Sequence, residues 1–234
     1  MRKLRVVLVA ALAVPCAVAL TSAAGAPRVA SGTATRVSDT GNLLENPGFE
    51  AGPAGSFGAV VPIPGWRRDG CGVFQATGAK ATVVAYGVAG GPDPGSPGPA
   101  NRGSQLFAGG KTHHTSLACQ LVDLSAHSAA IDAGQATWSM AAWLGGRGSE
   151  DDRGAAVVCF VLADGSTTYP DCPSLVGPTA AGRGGVTGLM SRSFNGAVPH
   201  AARWAAVGVA ALRVSGPLND GLVDDVSFDV ALHA

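Results

Sequence analysis

The sequence predicts an all-β fold, a two-sheet antiparallel β-sandwich with at most one or two short helices. Short segments of alternating apolar and polar residues recur between Gly, Pro, Asn and Asp punctuation, the pattern of half-buried strands. The best helical segment spans only two turns, and no internal repeat suggests a solenoid or propeller.

In chain order, Met1-Arg2-Lys3-Leu4-Arg5 is a cationic start, followed by an apolar run over residues 6–20 and the small residues TSAAGA. This is the layout of a secretory signal peptide, residues 1–26, with cleavage between 23 and 26. The run is about 15 residues long and is interrupted at Pro15, short of the roughly 20 residues a membrane-spanning helix needs. Cys16 lies inside the run rather than behind a small residue at its end, so it is discarded with the signal. Residues 27–41, rich in Ser, Thr, Ala and Gly, read as a flexible leader, and the domain runs from 42 to 234.

Within the domain, GGPDPGSPGPANRG (90–103) holds too much Pro and Gly for a regular element and predicts a long exposed loop. LSAHSAAIDAG (124–134) predicts a two-turn helix capped by Ser125, ended by Gly134 and anchored by Leu124 and Ile131. In ATWSMAAWL (136–144), Trp138, Met140, Ala142 and Leu144 share one face, while Thr137, Ser139, Ala141 and Trp143 share the other. Val158, Phe160 and Leu162 form a second row, and Val207, Val209 and Ala211 a less regular third. LVDDVSFDV (222–230) places Leu222, Asp224, Val226, Phe228 and Val230 on one face.

About 208 residues remain after cleavage, within the range of a single all-β domain. The formal net charge is zero and 14% of residues are charged, so no basic field is present to hold nucleic acid or an anionic membrane. Both are excluded as partners of the mature chain, which is read as secreted and extracellular.

Four cysteines survive cleavage, and an even number in an oxidising compartment without C-x-x-C spacing favours disulfides over metal thiolates. VVCFVL and STTY flank Asp164-Gly165, a two-residue turn that closes a hairpin. Folding the hairpin brings Cys172 to Cys159 and leaves Cys71 with Cys119.

The domain opens NLLENPGFEAG (42–52), reaches PGW (64–66) and closes NDGLVDDVSFDV (219–230). RGSQLFAGG (102–110), QLVDLS (120–125), AWLGG (142–146) and RGGVTGL (183–189) lie between. This order resembles the galactose-binding-like β-sandwich modules of bacterial secreted proteins, including many carbohydrate-binding modules. These open on an N-x-G-F-E strand and close on D-[DN]-[VL]-[ST]-[LF]. The resemblance covers residues 42–232 and implies jelly-roll topology, with the first and last strands side by side. It also implies a non-catalytic binding role with an extracellular glycan or cell-surface component as partner, and a structural Ca²⁺ where the terminal strands meet.

On that topology Glu50 and Asp224 approach each other. Two carboxylates on an apolar surface repel unless a cation or proton is shared between them, and calcium takes hard oxygen ligands. Glu50 and Asp224 are therefore candidate metal ligands, with Asp225 facing away. The alternative is that both accept hydrogen bonds from loop amides or pair with an Arg.

Trp66 and Trp143 are the candidate glycan contacts, since an aromatic face stacks on a sugar while nearby polar groups orient it. Core packing is the competing role for both, and Trp138 reads as core. A glycosidase needs two facing carboxyl groups. The mature chain has Glu only at 45, 50 and 150, and no acid pair stands out. Glu150 in RGSEDDR reads as part of a solvated acidic loop, with a second metal site as the sharper alternative. KTHHTS (111–116) offers His113, His114 and Ser116 without the G-x-S-x-G turn that exposes a nucleophile. His127 and His200 show no metal-ligand spacing. The expected function is thus a secreted, non-catalytic, glycan-binding module. A structural or protein-interaction domain without sugar binding, and an unrecognised hydrolase, are the alternatives.

Overall fold

The computed structural model describes residues 37–75, 81–111 and 114–233. The signal peptide with Cys16, the leader up to residue 36 and His113 lie outside the described residues.

The strands are β1 (Val37–Asp39), β2 (Thr82–Ala85), β3 (Gln105–Lys111), β4 (Thr115–Asp123), β5 (Ala136–Gly146), β6 (Arg153–Leu162), β7 (Ser174–Val176), β8 (Gly188–Ala197), β9 (Ala202–Leu212) and β10 (Leu218–His233). One sheet runs β2-β3-β10-β5-β8, with β1 on the C-terminal part of β10; the other runs β4-β9-β6-β7. All pairs between these strands are antiparallel. The two sheets form a sandwich whose core includes Phe49, Phe107, Met140, Leu144, Phe160, Val207 and Phe228.

β5 shows why the alternation read from the sequence works. Trp138, Met140, Ala142 and Leu144 are buried, while Thr137, Ser139, Ala141 and Trp143 face out with partial or full exposure. The weaker alternation of β9 has a different cause. It is an inner strand of its sheet, and residues 67–75 cover the sheet's outer side, so Cys71, Val73, Phe74, Leu117, Cys119 and Ala206 make a second apolar layer there. A disulfide joins Cys71 to Cys119, with Cα atoms 6.2 Å apart, and a second joins Cys159 to Cys172 at 4.9 Å. Both separations suit an unforced bridge.

The opening segment lies along the closing strand. Leu43 N donates to Phe228 O at 2.9 Å, and Val226 N donates to Pro47 O at 3.1 Å. Asn42 ties the two together: its Nδ2 donates to Val226 O at 2.9 Å and its Oδ1 accepts from Phe228 N at 3.1 Å. β1 extends the contact, pairing Val37 with His233. Residues 37–39, which composition placed in the leader, form a strand that gains ladder hydrogen bonds from an otherwise open stretch of β10.

β10 departs from a simple alternation. Its register against β5 slips between Asp224 and Ser227, where Asp225 adopts a φ of +47°. One extra residue in a strand turns the residues before it to the opposite face. Val226, Phe228 and Val230 point into the core as expected, whereas Leu222 and Asp224 point outward, beside Gly145 and Trp143.

Residues 125–134 form a 3₁₀ turn, Ser125–His127, and a short helix α1, Ser128–Asp132, with Leu124 and Ile131 fully buried. Ser125 is not the cap expected of it: neither turn has a side-chain cap, and Ser125 N donates to the Asp123 carboxylate at 2.8 Å. The loop over 90–103 is irregular and lies against β8, with Leu189 N donating to Pro97 O at 2.8 Å. Among the described residues no helix is long and apolar enough to cross a membrane.

Replacing Asn42 by Ala removes the side-chain bonds to both Val226 and Phe228. The expected loss is about 1–2 kcal/mol of unfolding free energy in urea titration, with little change in the denaturant slope.

Candidate functional site

The outer face of the larger sheet carries a row of polar side chains across three strands. The pairing of β5 with β10 and β8 sets its rows: Trp143 lies between Asp224 and Ser191, Ala141 between Ser227 and Ser193, and Ser139 between Asp229 and Asn195. At about 3.4 Å per residue, Trp143 and Ser139 stand roughly 14 Å apart along the strand. Between them lie the small Ala141 and Ser227, partly exposed, and Ser193, exposed, while Asp224 at the Trp143 end is buried. At its far end Asp39, Thr137, Ser139, Asn195 and Asp229 line a groove of about 290 Å³.

The groove's polar groups differ in character. Asp229 is half-buried; desolvation first and the neighbouring charge of Asp39 second raise its pKa, against a hydrogen bond from Ser227. Thr137 Oγ1 is 2.8 Å from His233 Nε2. Ser139 and Asn195 are exposed. These groups offer acceptors and hydroxyl or amide donors along one edge, while Trp143 provides an aromatic surface at the other end. Trp143 is half-buried because part of its ring packs on a third apolar cluster of Phe57, Val84, Leu106, Leu189 and Leu222.

Trp66, the other candidate contact, is a core residue. It is 6% exposed, its ring lies 5.3 Å from that of Phe49, and its indole N–H donates to Asn46 O at 3.0 Å. The Pro64-Gly65 turn, with Gly65 at φ +83°, directs the ring inward, so the expected glycan contact at Trp66 is not available.

Glu50 and Asp224 are brought near one another, with Gly48 between them. Asp224 is fully buried; its Oδ2 accepts from the Tyr86 hydroxyl at 2.6 Å and its Oδ1 from Asp225 N at 2.8 Å. Glu50 Oε1 accepts from Ser104 N at 3.0 Å and Gln105 N at 2.8 Å, and its Oε2 from Ser104 Oγ at 2.7 Å. A Cβ at Gly103 would overlap Glu50 Oε1, so only glycine admits this carboxylate to the loop. All four oxygens thus have protein donors, as in the alternative reading, and the two hard carboxylates keep further lone pairs for a cation. No motif marks Tyr86 for this site; it lies two residues past Val84 and packs on the same apolar cluster. Burial and the Asp224 charge hold the Tyr86 hydroxyl protonated well above its usual range.

Ser116 is fully buried and His114 is exposed, so the serine is not presented to solvent as a nucleophile. Glu150, expected in a solvated loop, instead turns inward beside Asp152 and Asp220.

No protein-family model matches the chain, and no curated protein sequence matches it. Among solved structures it is similar to a family 16 carbohydrate binding module, at 16% identity and a TM-score of 0.47, over 80% of this chain and 99% of that one. It is similar to the C-terminal family 22 carbohydrate binding module of a Clostridium thermocellum protein, at 13% identity and a TM-score of 0.38, over 81% and 97%. A third similarity is to the enzymatically active domain of tailspike protein 4 of bacteriophage CBA120, at 13% identity and a TM-score of 0.44, over 80% of this chain. The chain spans 21% of that tailspike chain's length.

Burial above all pushes the Asp224 pKa up to about 7, with the Tyr86 and Asp225 hydrogen bonds opposing it. The unfolded carboxyl ionises near 3.9, so between about pH 4 and 7 the folded state holds the extra proton. In chelator, stability therefore falls as pH rises through this window, by at most about 1.4 kcal/mol per pH unit from this group. Denaturant titrations of the wild type and Asp224→Asn are expected to differ by this slope.

Proposed function

We propose that the mature protein is a secreted, non-catalytic module that binds neutral glycan along the outer face of the β10-β5-β8 sheet. The carrying observation is the polar strip that joins Trp143 to the groove of Asp39, Ser139, Asn195 and Asp229. An indole surface stacks on the C–H face of a pyranose, and carboxylate, amide and hydroxyl groups fix the orientation of sugar hydroxyls. Two carboxylates in the groove favour hydroxyl donors and repel anionic sugars. Two disulfides accord with an extracellular setting.

A structural calcium ion at Glu50 and Asp224 belongs to the same proposal. Its support is the burial of Asp224 beside Glu50 and Asp225, where a cation would offset repulsion between carboxylates. There the ion would supply charge neutralisation, while the chain's own residues hold the loop at 103–105 against β10. A protein-interaction role is favoured by one separate feature. Tyr169, 63% exposed, stands with Val73, Phe74 and Leu117 around an apolar groove of about 360 Å³ on the other sheet.

A glycan-array screen of the mature protein, with and without chelator, tests the proposal. Binding to neutral glycans is expected, with affinity reduced at least tenfold by Trp143→Ala and by Asp229→Asn while the folded-state circular dichroism is unchanged. Absence of binding in both conditions removes the glycan function and leaves the interaction role at the Tyr169 face.

A further inference from the structure

The segment between β5 and β6 is held by two buried charged side chains. Arg183, 9% exposed, donates from Nη2 to Glu150 O at 2.7 Å and from Nη1 to Pro178 O at 2.8 Å. Asp152, fully buried, accepts from Val214 N at 2.6 Å and Ser215 N at 3.1 Å on Oδ1, and from Asp220 N at 2.9 Å on Oδ2. These clamps fix the backbone of Glu150 and Asp152 and bring Asp220, far away in sequence, beside them. As a result Glu150, Asp152 and Asp220 each place a carboxylate oxygen within 4.8 Å of the others.

Two of the oxygens in this cluster have no N–H or hydroxyl donor, and the Asp220 and Glu150 carboxyls act on each other instead. Asp220 is 2% exposed, and its Oδ1 is buried with no hydrogen-bond partner; Glu150 Oε2 is likewise buried without one. A buried acceptor left without a donor costs on the order of 1–3 kcal/mol, more when charged, which is why such atoms are rare in folded proteins. The Arg147 guanidinium approaches Asp220 Oδ2 at 3.9 Å, an ion-pair distance too long for a hydrogen bond. Its side chain is 41% exposed, so it offsets part of the charge of three carboxylates from the solvent side.

We propose that Glu150, Asp152 and Asp220 bind a calcium ion that joins the β5–β6 segment to the start of β10. Calcium takes oxygen ligands at roughly 2.3–2.6 Å in irregular geometry, so oxygens within 4.8 Å of one another can share one ion. The ion supplies the partner that Asp220 Oδ1 and Glu150 Oε2 lack. The site is separate from Glu50 and Asp224 and does not depend on glycan binding.

The test is calorimetric titration of the chelator-stripped mature protein with CaCl₂, alongside Asp220→Asn, Glu150→Gln and Asp224→Asn. The expected result is calcium binding that Asp220→Asn and Glu150→Gln each weaken at least tenfold, with loss of a calcium-dependent rise in melting temperature. Asp224→Asn is expected to keep this binding. Using two single-acid variants guards against one of them failing to fold, and circular dichroism identifies such a failure. Absence of calcium binding by the wild type would overturn the proposal, as would binding that only Asp224→Asn abolishes. So would variants that gain stability without any change in calcium affinity, the sign of a proton shared between Glu150 and Asp220. A stronger response to MgCl₂ than to CaCl₂ would overturn the choice of calcium.

Discussion

The architecture depends on β10 finding a partner on each of its edges. The strand is 16 residues long and pairs with β5 on one side, and with β3 and then β1 on the other. Between β3 and β1 its free edge would expose backbone groups over the core, and that gap is filled by the opening segment through Asn42, Leu43 and Pro47. Backbone donors and acceptors next to an apolar interior must be matched, so the ends of the domain are bound to each other by hydrogen-bond demand as much as by packing. Phe49 and Phe228 meet the core from these two segments.

The bulge at Asp225 connects this constraint to the proposed ligand surface. A regular β10 would point Asp224 into the sandwich, where a carboxylate has no partner. The slipped register sends it outward to Tyr86 and Trp143 while keeping Val226, Phe228 and Val230 inside. Ser227 and Asp229 face outward in either register, beside Ala141 and Ser139, and the bulge adds Asp224 to their row beside Trp143. The same strand thus supplies core, buried carboxylate and surface acceptor, separated by one residue with a positive φ.

Much of this was legible from residue pattern. The period-2 rows of β5 and β6, the hairpin at Asp164-Gly165 and the irregular loop at 90–103 follow from local composition and spacing, whereas the meeting of the terminal segments follows from the resemblance to galactose-binding-like modules. What escaped has identifiable causes. The bulge at Asp225 has no glycine to announce it, so alternation alone puts Leu222 and Asp224 on the face of Val226, Phe228 and Val230. Trp66 looked available because its burial depends on Phe49 and Asn46, which approach it only in three dimensions. The acids at 150, 152 and 220 are brought together by Arg183 and by backbone amides at 214, 215 and 220, contacts that no linear motif records. Asp229 and Asn195 were passed over because a polar residue on an outward row resembles any solvated one until its cross-strand neighbours are known.

The larger sheet's open face is where fold and chemistry converge in this protein, and chemical-shift mapping examines it most directly. Titration of ¹⁵N-labelled mature protein with a panel of neutral oligosaccharides should move the Trp143 indole and the amides of Ser139, Ser193, Asn195 and Asp229 together. Shifts confined to Val73, Phe74 and Tyr169 on the opposite sheet, or no shifts with any sugar, would contradict the assignment of that face as the ligand surface.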